Sequence, residues 1–305
     1  MEMMDVLLRA ACFIGIILLG YFLRRINFFK EGDFDVLAKI ALKITLPAAI
    51  ICNINGSEIS IGMLGIALIG FGGGVLYLIV MYLLNLRSSR EQCAFEMLNS
   101  TAYNIGNFTM PFAQSFFGPS GVLVTSIFDT GNAIVCLGGA YSVCAMIKGN
   151  DGRISLKPIV KKLISSVPFD TYIIMTLLCL LHISLPAPVV SYAQIIANAN
   201  AFVAMLMIGV GFRLSGDMSQ MKSIARILVV RYGIALALSL GIYFLLPLPL
   251  EYRRILSIVV FAPIASAAPA FTAELKSDVG LSSVINSISI LISLTCIVAG
   301  ILILF

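Results

Sequence analysis

The chain has 305 residues, of which 60% are hydrophobic and only 11% charged, with a mean hydropathy of +1.04. A soluble domain is about half apolar and a quarter charged, so this composition excludes a soluble globular protein and implies a partner in the lipid bilayer. The formal net charge of +5 forms no basic patch interleaved with aromatics and falls at the ends of apolar runs, so it speaks for membrane topology and against a nucleic-acid partner.

About 20 apolar residues cross the hydrocarbon core as a helix. Ten stretches qualify: 5–23, 34–54, 59–85, 92–117, 120–147, 167–184, 188–212, 224–246, 252–272 and 279–304. The first is no cleavable signal, because Glu2 and Asp5 make its leading region acidic and Arg24–Arg25 closes it. The second carries Lys39 and Lys43 one turn apart, ahead of Pro47. Lys43 either attracts an anionic solute or snorkels to the surface. In the third, Gly70, Gly72, Gly73 and Gly74 lie in an apolar run, where they mark close helix packing rather than a phosphate loop.

The fourth stretch contains TAYNIGNFTMPFAQSFFG, with Asn104, Gly106, Asn107, Pro111 and Gln114 inside an otherwise apolar run. Pro111 lacks an N–H, and its ring would clash with the carbonyl of Asn107. Opened backbone is tolerated at membrane depth only where protein buries it or a watery cavity touches it. The expectation is a broken helix forming half of a solute site, with Asn104, Asn107 and Pro111 as members. The fifth stretch carries Asp129 and Asn132 in SIFDTGNA. A carboxylate at mid-membrane depth is costly and by default functional. Asp129 suits a proton carrier, or a Na⁺ ligand together with Asn132; the structural alternative is a hydrogen bond to the broken fourth helix.

The interval 148–166 is basic and short and reads as a linker on one membrane face. It divides the chain into a first five-helix repeat at 1–147 and a second at 167–305. In the seventh stretch Asn198 and Asn200 lie on nearly opposite faces, and Asn198 is the one assigned to the site. Arg231 in the eighth is a charge partner for Asp129 or an interfacial residue. The ninth is interrupted by FAPIASAAPAF, with Pro263 and Pro269. In the tenth, Asn286 lines the core or cements it. The cysteines have no ligand spacing and behave as small hydrophobes. Neither a metal site nor an organic cofactor is expected, and no nucleophile, phosphate-loop or zinc motif supports enzyme chemistry.

Fourteen Lys and Arg fall in or at the edge of loops after odd-numbered stretches and two, Arg253 and Arg254, at the edge of a loop after an even-numbered one, which places odd loops in the cytoplasm and both termini outside the cell membrane. Five spans per half make the second half enter from the opposite side. That is the geometry of an inverted repeat, and paired interruptions at its matching positions, here the fourth and ninth helices, point to a carrier's binding site.

The order of ITLPAAII, NIGNFTMP followed by FG, SIFDTGNA, and FAPIASAAPAF followed by ELKSDVG resembles the auxin efflux carrier family, including its bacterial members, over nearly the whole chain. The resemblance implies an all-α membrane protein with ten transmembrane helices in a 5+5 inverted repeat. Helices one, two, six and seven would form a scaffold, and helices three to five and eight to ten a transport domain, with helices four and nine crossing at Pro111 and Pro263. It further implies elevator-like movement of small carboxylates, a substrate carboxylate meeting Asn104, and a homodimer joined through the scaffold. The stretch Asn107–Met110 departs from the family's Gly-rich pattern, and the short linker makes auxin a poor guess. The resulting expectation is a secondary transporter of a small organic anion, coupled to H⁺. Alternatives are Na⁺ coupling or cation/proton antiport on the same fold, and a membrane sensor or subunit that moves no solute.

Overall fold

The computed structural model describes residues 3–30, 32–149, 156–213 and 220–305. These residues are helical or connecting, with one isolated β-bridge and no strand among them. In chain order the helices are α1 (Met3–Arg25), α2 (Asp33–Ile40), α3 (Leu46–Ile54), α4 (Gly65–Leu84), α5 (Arg90–Leu98), α6 (Met110–Ile134), α7 (Ala140–Lys148), α8 (Leu156–Ile164), α9 (Val167–Leu180), α10 (Ala187–Ala197), α11 (Asn200–Gly211), α12 (Met221–Leu245), α13 (Leu250–Val259), α14 (Ala268–Glu274) and α15 (Val279–Leu304).

Among the described residues, six helical runs are long and apolar enough to cross a membrane, or seven if α8 and α9, bent by 73°, count as one. The other predicted stretches are interrupted. The run through α2 and α3 carries Asp33, Asp35, Lys39 and Lys43 and widens into a π turn at Ala41–Thr45. The stretches 92–117 and 252–272 are broken into short pieces. The run Ile105–Lys148 counts once although its 44 residues would extend about 66 Å at 1.5 Å per residue, twice the hydrocarbon thickness of about 30 Å. It turns at Gly118, whose φ of 57° and ψ of −143° lie outside helical space, just before Pro119.

Two wide π turns precede prolines. Ala41–Thr45 leads into α3 with Pro47, and Ile105–Thr109 leads into α6 with Pro111. Each widened turn closes through an i→i−5 bond, Leu46 N–H to Ala41 C=O and Met110 N–H to Ile105 C=O. Widening the ring relieves the proline's clash with the preceding turn. Pro111 therefore does not break the helix, contrary to the sequence expectation. It is buried near the start of α6, and the break lies upstream, at residues 99–104.

Small residues set the closest helix contacts, as they do where no water drives association. α1 lies along α11, where a side chain on Gly20 would meet Leu206 C=O and one on Gly209 would meet Ile17 C=O. α4 lies along α6, with Gly70 against Phe128 C=O and Gly131 against Ala67 C=O. Gly73 and Gly74 likewise pack on Tyr103 and Val135, whereas Gly72 faces open space. α2 packs on α11, and α3 on α9 and α10. α5 packs on α7, α12 on α13, and α14 on α15. The outer surface is studded with exposed Leu68, Ile195, Val229, Leu245 and Ile303, as expected of a protein solvated by lipid.

Candidate solute site

Two interruptions meet at the centre of the molecule. The first runs from Asn99 to Asn104, between α5 and the π turn that enters α6. The second runs from Val260 to Ala267, between α13 and α14. Backbone released from a helix at this depth needs new partners, and each break finds some in the other. Tyr103 and Ile264 form an antiparallel bridge, and Asn104 N–H donates to Pro263 C=O at 2.8 Å. Ala102 is held at a φ of 61° to make the turn.

Other backbone groups of the breaks are taken up by side chains from a helix later in the chain, α6 for the first break and α15 for the second. Asn132 on α6 accepts from Tyr103 N–H and donates to Tyr103 C=O, both at 3.0 Å. On α15, Ser289 accepts from Ile264 N–H at 3.1 Å, while Asn286 donates to Ile264 C=O at 3.0 Å and Ala265 C=O at 3.1 Å. Asn286 thus cements the second break. Arg231 on α12 reaches both breaks at once: its guanidinium donates to Ser100 C=O at 2.5 Å and to Ala262 C=O at 2.8 Å. It also lies over the rings of Tyr77 and Tyr103, at 4.9 and 5.3 Å.

Two cavities flank this junction, and Asn104 and Ser266 line both. The first, of about 170 Å³, is also lined by Asn107, Asp129, Asn132, Cys136 and Tyr172. The second, of about 400 Å³, extends past Asn286 and Ser287 to Arg24, Asp35 and Arg213. The side-chain amide of Asn104 hydrogen-bonds to none of the described residues, and it sits at the start of a helical run whose first N–H groups have no helical acceptor. Asn107 donates to Ser266 Oγ at 3.0 Å, which leaves its own Oδ1 buried without a donor among the described residues. Asp129 accepts from Asn132 Nδ2 at 2.8 Å and from the Tyr172 hydroxyl at 3.0 Å. Asp129 is the charged side chain of the smaller cavity.

The structure therefore brings together Asn104, Asn107, Asp129, Asn132 and the carbonyl of Pro263. It separates four other candidates from them. Pro111 lines neither cavity, because its π turn buries it within α6. Asn198 is exposed and accepts from Gln194 at 2.9 Å on the outer face of its helix. Its neighbour Asn200 is the buried one, accepting from Thr45 Oγ1 at 3.0 Å and donating to Gln114 Oε1 at 3.3 Å. Lys43 is exposed and lines neither cavity. Arg231 is fully buried but bonds carbonyls, with no carboxylate at ion-pair distance among the described residues. Tyr172 and Ser266 were missed: an aromatic residue in an apolar run and one serine among small residues carry no sequence signal of their own.

A break, a membrane-depth carboxylate and an unpaired asparagine now stand in one place, and residues 7–161 match the model of a family described as membrane transport protein, the auxin efflux carrier family. The chain belongs to this family. No curated protein matches it. Membership makes it a multi-pass membrane transport protein. The residues matched to the auxin efflux carrier family include the first break, Asp129 and Asn132. The second break, beyond residue 161, is joined to them by the structure.

Proposed function

We propose that this protein is a secondary transporter of a small organic anion, most simply a carboxylate, bound where the two breaks meet. The observation that carries this reading is the unpartnered amide of Asn104 beside the open N-terminal end of a helical run, lining both cavities. Exposed N–H groups and the helix dipole favour an anion at such a position. Asp129 in the adjoining cavity takes up and releases a coupling proton.

The architecture proposed is ten spans in a 5+5 inverted repeat, with both termini outside the cell. Its support is the parallel treatment of the two breaks: each bridges the other, and each has peptide groups taken up by polar side chains from a long helix later in the chain, α6 for the first and α15 for the second. Elevator-type movement would carry α4–α7 and α12–α15 past a scaffold of α1–α3 and α9–α11, through which a homodimer would form. Among the described residues, the hydrogen bonds that join these sets include Tyr172 to Asp129, Asn200 to Gln114 and Arg9 to Ser115 C=O.

Calorimetric titration of the purified protein with a panel of mono- and dicarboxylates tests the site. A member of the panel binds, and Asn104→Ala weakens that binding at least tenfold; an unaltered Kd would remove Asn104 from the site. A second reading, coupling to Na⁺, is favoured by the unpartnered Asn107 Oδ1, which shares a cavity with Asp129. A thermal shift produced by Na⁺ and not by K⁺, abolished by Asp129→Asn, would establish it.

A further inference from the structure

We propose that Arg231 is the fixed counter-charge of the solute site, balanced in turn by ionised Asp129 or by a bound carboxylate, so that one proton and one monovalent carboxylate occupy the core together and cross without net charge. This deepens, and rests on, the carboxylate reading above.

Arg231 is 1% exposed, and a guanidinium keeps its proton in proteins. A charge buried at membrane depth is expensive and requires partners. The partners here are dipoles, not a counter-ion. Ser100 C=O and Ala262 C=O lie just past the last residues of α5 and α13, where helix dipoles concentrate partial negative charge. The rings of Tyr77 on α4 and Tyr103 in the first break lie below the guanidinium and attract it through their faces. These contacts make the cation tolerable and leave its full charge in the core.

Asp129 sits on the other flank of the same break. Arg231 rests on the Tyr103 ring, the Tyr103 peptide is held by Asn132, and Asn132 donates to Asp129. Among the described residues, the groups around Asp129 are neutral: Tyr172 from α9, Asn132 and Cys136 from its own helical run, and Tyr103 and Asn107 from the first break and its π turn. Lys162 of the adjacent α8 is turned to the Phe271 ring at 4.3 Å. Around Arg231 the titratable groups are Tyr77, Tyr103 and its neighbour Tyr232.

The charge balance follows. Arg24, Asp35 and Arg213 line the larger cavity on α1, on α2 and after α11, in or beside the proposed scaffold and outside the moving set. With Asp129 ionised, the buried junction of the moving set holds one positive charge and one negative charge, Arg231 and Asp129, and can reorient. When a proton bonds to an Asp129 oxygen, the core carries one net positive charge, and moving that across the bilayer is opposed by the low-dielectric surroundings. A monovalent carboxylate bound beside Asn104 restores neutrality, so proton and anion favour each other's binding. An anion arriving while Asp129 is ionised leaves the core with a net negative charge and binds weakly.

The test uses the full-length protein and a panel of monovalent carboxylates, from formate to hexanoate with lactate and pyruvate. Binding is measured by calorimetry between pH 5.5 and 8.5, and charge movement with proteoliposomes on a solid-supported membrane. The expected result is wild-type affinity that falls up to tenfold per pH unit on the alkaline side, with uptake that moves no net charge. Asp129→Asn, a near-isosteric change, should bind the same carboxylate with a flat pH profile and at pH 8.5 at least tenfold more tightly than wild type. Arg231→Lys should keep affinity within a few-fold, and Arg231→Gln should lower it more than tenfold in protein that still shows its native unfolding transition. Should Arg231→Gln fail to fold, the Asp129→Asn profile and the wild-type charge measurement decide alone. Binding that is independent of pH in wild type, or uptake accompanied by net charge, overturns the inference and leaves the carboxylate reading standing. Failure of every carboxylate to bind at any pH overturns both.

Discussion

The side-chain amide of Asn132 pairs with both backbone polar groups of Tyr103, accepting from its N–H and donating to its C=O at 3.0 Å each. The amide does what a neighbouring strand would do, on the side of Tyr103 that Ile264 does not cover. Its remaining N–H goes to Asp129 at 2.8 Å. One side chain thus joins the exposed backbone of the break to the carboxylate of the cavity.

Replacing Asn132 by Ala leaves the Tyr103 N–H and C=O buried without partners, at about 1–3 kcal/mol each. Asn132→Ala is therefore expected to destabilise by about 3 kcal/mol and to lower the unfolding temperature in detergent by several degrees. Asn132→Asp keeps the acceptor, loses both donors and places a second carboxylate beside Asp129, so it should be at least as damaging. A wild-type unfolding temperature in Asn132→Ala would show that the break is held elsewhere.

Ala102 bears the backbone strain of the first break, with a φ of 61° in a buried setting. Left-handed backbone costs a non-glycine residue roughly 1–2 kcal/mol, and a β-branched residue suffers most. Ala102→Gly should be near neutral, since relief of strain is offset by the larger unfolded-state entropy of glycine. Ala102→Val should destabilise by about 2 kcal/mol or more. Equal unfolding temperatures for the two variants would mean that the break relaxes to another turn.

The helices were legible because apolar runs of membrane length leave few alternatives, and both interruptions were visible as polar and proline-rich residues in such runs. The position of the first break was not. Proline geometry pointed at Pro111, but the π turn at Ile105–Thr109 absorbs that proline, and the chain opens instead at Asn99–Asn104. Asn104 and Asp129 could be singled out because polar groups at that depth must face protein or a cavity. Arg231 was equally conspicuous, yet its hydrogen-bond partners were not legible, because the carbonyls it bonds belong to two distant segments, Ser100 and Ala262. The choice between Asn198 and Asn200 turned on helix rotation. α10 and α11 are separate helices meeting at Asn198–Ala199, so a single continuous wheel through both residues does not describe their faces.

Gly131 lies between Asp129 and Asn132, against the backbone of α4: a side chain there would run into Ala67 C=O. Neither backbone can yield without moving a helix, so Gly131→Ala should push α6 from α4 and displace both functional neighbours. The expected outcome is a loss of about 1–3 kcal/mol, the usual range for overpacking, together with weakened solute binding. Gly72→Ala, on the same α4 with nothing within 4 Å of the added carbon, is the matched control and should be neutral or slightly stabilising. The comparison is made by thermal unfolding and calorimetric binding on both proteins; similar behaviour would dismiss the close contact as a constraint.

Gln114 and Asn200 tie α6 to α11 at 3.3 Å, and Thr45 holds the other end of the same asparagine at 3.0 Å. If the set containing α6 slides past the set containing α11, this contact must part in every cycle. Gln114→Cys and Asn200→Cys, introduced together into a chain whose native cysteines have been replaced, should be joined by a short bifunctional thiol reagent. Uptake into proteoliposomes should then fall to background, while each single-cysteine protein treated in the same way keeps its rate. A reducible cross-linker should restore uptake when cleaved. Transport that continues at its full rate with the pair joined would show that these two helices stay together throughout the cycle, and would refute the elevator-type movement proposed for α6 against α11.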